Sequence, residues 1–164
     1  MTSYRLRLRS PLFLGPSTAV VLLAAVGCSV TDAEASITVP TPSSKVAAHC
    51  RALHKELPGT VAELDRNDPR PASELTAGWG RGDGAIVLRC GVPRPARMDD
   101  PDARAVEVNG VNWLLEQSGD AGPRFTTTYR KAYVEVTLPK EYAHDAGPLT
   151  AFAAPVLATV PDSV

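Results

Sequence analysis

The stretch that ends at Cys28 constrains the fold most, because it takes everything before that residue out of the core. Arg5, Arg7 and Arg9 lead, residues 11–26 are mostly apolar, and Ala25-Val26-Gly27 place small side chains just before the thiol. A charged segment, an apolar segment and a small-residue cleavage site in that order make a secretory signal. A retained membrane span needs about 20 apolar residues. This run is about 16 long, and Gly15-Pro16-Ser17-Thr18 interrupt it. Residues 1–27 therefore read as a lipoprotein signal peptide and Cys28 as a lipidated residue, with simple cleavage as the alternative because Ala25 stands where leucine is commonest. A diacylglyceryl group supplies two acyl chains, which anchor stably where one is marginal. The expected location is the extracytoplasmic face of the cytoplasmic membrane. The arginines alternate with Leu6 and Leu8, which argues against twin-arginine export and for an unfolded chain carrying no cofactor or metal loaded beforehand.

Residues 28–44 are rich in Ser, Thr, Pro and Ala, with Ile37 and Val39 as the notable apolar exceptions. They read as a tether, spanning on the order of 20 to 24 Å if flexible. Residues 45–164 are left for one globular domain of ordinary size. Removing three arginines from 17 basic residues, against 18 acids, gives 14 − 18 = −4 for the mature chain. Nucleic-acid binding calls for a basic stripe, which is absent. The acyl anchor, not a polybasic patch, must then hold the domain at the membrane.

With Cys28 spent on lipid, Cys50 and Cys90 remain, in a compartment where disulfides persist. They are expected to pair. Closing a loop of about 40 residues stabilises by about 4 kcal/mol in the chain-entropy model. The alternative is a metal site using Cys50, His54, Cys90 and His49, but a closed zinc site needs about four such ligands and commonly a CxxC pair.

Val46, Cys50, Leu53 and Leu57 form one helical stripe behind Ser43 and Ser44, and Pro58-Gly59 ends it. Residues 61–64 suggest a short turn and 67–71 an irregular loop. Residues 75–80 and 85–90 read as a hairpin of two strands. Residues 106–108 and 111–114 flank Asn109-Gly110, the strongest short-range hairpin signal. Residues 125–138 read as the longest strand, with Tyr133, Glu135 and Thr137 on a polar face. A second helix is expected to start at Pro148, with Pro155 kinking or dividing it. The fold expected is α+β: an antiparallel sheet of four to five strands with two helices packed on one face and one disulfide.

Chemical signals are sparse. Trp79 sits in Gly78-Trp79-Gly80-Arg81-Gly82-Asp83-Gly84 and would stack on a ligand if that loop were open, or pack in the core if the glycines form a tight hairpin. The Arg81-Gly82-Asp83 tripeptide is too short to carry meaning. Arg89, Arg94, Arg97 and Arg130 would converge on an anionic ligand from one end of the sheet, or simply decorate a solvated face. Asp99, Asp100 and Asp102 lack the spacing of a calcium loop. No serine lies in a GxSxG context and no catalytic residue or metal ligand stands out.

Several segments together resemble an actinobacterial family of exported lipoproteins known as domain of unknown function 3515. They are Cys50-Arg51-Ala52-Leu53, Leu88-Arg89-Cys90-Gly91-Val92-Pro93-Arg94-Pro95, Val108-Asn109-Gly110-Val111-Asn112-Trp113 and Thr128-Tyr129-Arg130. The resemblance implies address, disulfide and host group, and brings no activity or cofactor. The expectation is a non-catalytic envelope module that binds another envelope protein or a cell-wall component. The alternative is a small envelope hydrolase or transferase, or an accessory of one.

Overall fold

The computed structural model describes residues 37–117 and 122–163. The stretch read as a signal peptide, and Cys28 with it, lie outside the described residues. No helix among the described residues is long and apolar enough to cross a membrane.

Helix α1 runs Ser44–Glu56, and the Ser43 hydroxyl accepts from the Val46 N–H at its start. Cys50 and Leu53 of the expected stripe are buried, and Val46 and Leu57 pack at its edges. The short turn expected at 61–64 is a small hairpin instead, β1 (Thr60–Val61) with β2 (Leu64–Asp65). Ala62 and Glu63 at its tip have φ of 47° and 65°, a conformation usually left to Gly or Asn.

The main sheet has six strands, not four to five: β3 (Thr76–Trp79), β4 (Ile86–Cys90), β5 (Arg104–Val108), β6 (Val111–Gln117), β7 (Pro123–Thr127) and β8 (Val134–Thr137). Their order is β3-β4-β8-β7-β6-β5, and every pairing is antiparallel. The β3–β4 hairpin forms as expected. So does β5–β6, where Asn109 and Gly110 have φ of 49° and 82°, as a type I′ turn requires.

The long strand expected over 125–138 is two strands. The chain reverses between β7 and β8 through residues 128–133, with Tyr129 at φ 56°. That turn is held from outside by the C-terminal tail, whose Ser163 N–H donates to the Tyr129 carbonyl while Lys131 N–H donates to the Pro161 carbonyl. Nothing local announces such a turn.

Register sorts the side chains onto two faces. Ala77, Trp79, Ile86, Leu88, Cys90, Val134, Val136, Phe125 and Trp113 share one face and are buried. The disulfide from Cys50 to Cys90 fastens α1 to this face. Helix α2 (Thr150–Thr159) follows a 3-10 turn over Gly147–Leu149 and lays Phe152 against Trp79, ring centroids 5.1 Å apart. Both helices therefore cover one side, as expected. Pro155 lies inside α2 without dividing it. It forfeits one backbone hydrogen bond, but Phe152, Ala153 and Val156, all buried, hold the helix on the sheet.

The domain-side part of the stretch read as a tether is docked. Ile37 N–H donates to the Arg70 carbonyl, Arg89 Nη1 donates to the Thr38 carbonyl at 3.5 Å, and Pro42 lies so close to Gly91 that a Cβ there would sit 2.6 Å from its Cγ.

Candidate functional site

The second face of the sheet is built on charge. Arg89 on β4, Glu135 on β8, Arg124 on β7 and Glu116 on β6 alternate across four neighbouring strands. Arg89 donates through Nε and Nη2 to Glu135 Oε1 at 2.8 and 2.6 Å. Arg124 Nε donates to Glu116 Oε2 at 3.3 Å and lies 3.8 Å from Glu135 Oε2. Glu135 is only 7% exposed, and burying a charge requires partners of this kind. Alternation fixes the face, and cross-strand pairing fixes the neighbours.

Because β4 and β5 lie at separate places in the sheet order, the chain between them must cross three strands. Residues 91–103 make that crossing over the charged face, so they form a strap with a hollow on either side. On one side is an open cleft of about 520 Å³, walled by Arg89, Arg94, Arg97, Arg124, Glu135 and the docked residues 38–41. It adjoins a smaller hollow to which Arg97, Arg104 and Arg124 all contribute. Five arginines thus face two adjoining hollows. On the strap's other side is a hollow of about 400 Å³ with Tyr129 and Tyr133 in its wall.

The arginines differ in how firmly they are held. Arg94 donates to Asp99 at 2.7 Å and Arg97 lies 3.5 Å from Asp100, both pairs at the surface, where such contacts are worth little. The hydrogen bond from Arg94 holds the Asp99 carboxyl below its ordinary value of 3.8, and the same bond raises Arg94. Arg104 has no ion-pair partner among the described residues. Arg94, Arg97 and Arg104 are therefore free to turn towards a ligand, whereas Arg89 and Arg124 are fixed by the ladder.

The sequence candidates divide accordingly. Arg89, Arg94 and Arg97 do come together, joined by Arg104 and Arg124, which only the strand register would have revealed. Arg130 does not join them. It is 8% exposed and ties the end of α2 to the sheet, donating to the Val160 carbonyl at 3.1 Å and to the Gly110 carbonyl at 3.5 Å and pairing with Asp162. Trp79 cannot stack on a ligand either. It is 0% exposed, its Nε1 donates to the Pro58 carbonyl, and Arg66 covers its ring at 4.9 Å. The glycines around it serve packing, since a Cβ on Gly78 would meet the Asn67 carbonyl at 2.5 Å.

The cysteine ligands of the zinc alternative are consumed by the disulfide. Among the described residues no group of three or more His, Cys, Asp or Glu is placed to hold a metal. Asp99 and Asp100 face arginines, and the Asp102 N–H donates to the Asp100 carboxylate.

No curated protein and no solved structure matches this chain. A family model described as Protein of unknown function (DUF3515) matches residues 16–164, and the chain belongs to that family.

Proposed function

We propose that this protein is a lipid-anchored module on the extracytoplasmic face of the cytoplasmic membrane, and that it binds an anionic group of an envelope component without turning it over. The observation that carries the reading is the arginine-lined cleft. Five arginines gather on one side of the domain, in a mature chain whose net charge is −4, and arginine is suited to planar, bidentate contact with phosphate or carboxylate. The weak surface pairs of Arg94 and Arg97 cost little to exchange for a ligand. The N-terminal segment ending at Cys28 supports the anchor, and the Cys50–Cys90 disulfide suits an oxidising compartment.

Two measurements test it. Titration of the mature chain with inorganic phosphate should show saturable binding that falls at least tenfold in an Arg97→Glu, Arg104→Glu double variant of unchanged melting temperature. No binding by the parent, or equal binding by both, overturns the anion-binding reading. Mass spectrometry of the product extracted from membranes should find a diacylglyceryl group on an N-terminal Cys28. An unmodified N-terminus at Met1 in a cytosolic fraction overturns the anchor.

A further inference from the structure

The hollow beyond the strap has a different character from the arginine cleft. Tyr129 and Tyr133 stand in its wall, Leu114 lies buried in its floor, and Asn112, Ser163 and Arg94 bring polar groups to its rim. Arg94 belongs to both hollows, so one side chain joins the aromatic side to the cationic side.

Tyr129 is 64% exposed and sits at φ 56°, a conformation that a bulky residue adopts only under constraint. The constraint is visible. The Tyr129 carbonyl accepts from Ser163 N–H at 2.9 Å, Lys131 N–H donates to the Pro161 carbonyl at 2.9 Å, and Arg130 clamps the same tail through Asp162. An exposed ring is therefore presented on a turn braced at three points. A braced tyrosine offers a large contact surface with little rotamer entropy to lose. Among the described residues no hydrogen bond engages the side chains of Asn112, Ser163 or Tyr129, so these groups stand ready around the ring.

A sugar ring has the matching shape, with one apolar C–H face to lie on the tyrosine and a rim of hydroxyls for the amide, hydroxyl and guanidinium groups. A purely apolar ligand would leave those groups desolvated and unpaired. We infer that the tyrosine hollow is a saccharide subsite, and that together with the arginine cleft it takes an acidic glycan lying across the strap, its ring on Tyr129 and its anionic group on Arg94, Arg97 and Arg104. This rests on the anion-binding reading of the cleft and names its ligand class.

The test uses the mature chain and three probes: tetragalacturonate, the uncharged maltotetraose, and inorganic phosphate. Tetragalacturonate should bind at least tenfold more tightly than either of the others. Tyr129→Gly suits the backbone, because glycine adopts a positive φ without strain, and should weaken tetragalacturonate at least tenfold while leaving phosphate unchanged. Tyr129→Asn, which also tolerates that conformation, should repeat the result if the glycine variant melts lower. Tetragalacturonate binding no tighter than phosphate, or equal in the parent and both tyrosine variants, overturns the subsite. Loss of phosphate binding in the parent instead overturns the cleft.

Discussion

The two faces of the six-stranded sheet solve the same problem by opposite means. The helix-covered face is closed by apolar packing around Trp79, Phe152 and Leu53, each 0% exposed, and is stapled by the disulfide. The other face is covered by the strap and the docked residues 38–41 and held by the Arg89–Glu135–Arg124–Glu116 ladder. Dispersion and transfer energy are non-directional, so the first face gains stability from being filled. Ion pairs need particular partners, so the second face keeps hollows beside its strap and exchangeable groups within them. Stability and the proposed binding thus fall on different sides of one sheet.

The largest effect should come from the staple. Cys90→Ser removes the cross-link between residues 40 apart and is expected to cost about 4 kcal/mol. At roughly 3 to 5 °C per kcal/mol for a domain of this size, melting should fall by more than about 10 °C. Phosphate affinity below the transition should not change. Equal melting of variant and parent under oxidising conditions would refute the staple, and a large loss of affinity would erase the division between faces.

Glu135→Gln should give the opposite profile. It removes one negative charge from the ladder, with an expected cost of about 1.5 to 3 kcal/mol because hydrogen bonds to charged partners are worth about that much. It should also strengthen phosphate binding several-fold, because Arg89 and Arg124 lose their shared counter-charge. A melting loss with unchanged or weaker binding shows that the ladder contributes structure alone.

The smallest effect lies at the strap. Asp99 is held below 3.8 by its bond from Arg94, so that contact is present above the ordinary aspartate value and is lost only as pH falls through the depressed one. Carbon NMR should place the Asp99 midpoint below 3.8, and Arg94→Gln should return it there. A parent midpoint at or above 3.8 means that the pair does not form in solution.

The sequence made much of the closed face readable. The Val46, Cys50, Leu53, Leu57 stripe, the Asn109-Gly110 turn and the apolar run into Cys90 each carry a local signal with a known geometry. The open face was mostly hidden, because its neighbours are chosen by register. Arg124 meets Glu116 only once β6 and β7 are paired. The break at Tyr129 has no glycine or proline to mark it, since the C-terminal tail enforces it from thirty-odd residues away. Likewise, β1–β2 turns on Ala62 and Glu63. Even so, Ile37 and Val39, apolar residues in a polar stretch, were a hint that 37–42 does not hang free.

That docking sets a limit on what the cleft can meet. With the proposed anchor at Cys28, only Ser29 to Ser36, eight residues, separate the acyl chains from the first docked residue. With nine residue steps from Cys28 to Ile37 at about 3.3 to 3.6 Å each, this leash cannot exceed roughly 32 Å at full stretch. Partners are then recruited only from a thin layer above the lipid headgroups, and longer polymers must come down to that layer to be caught.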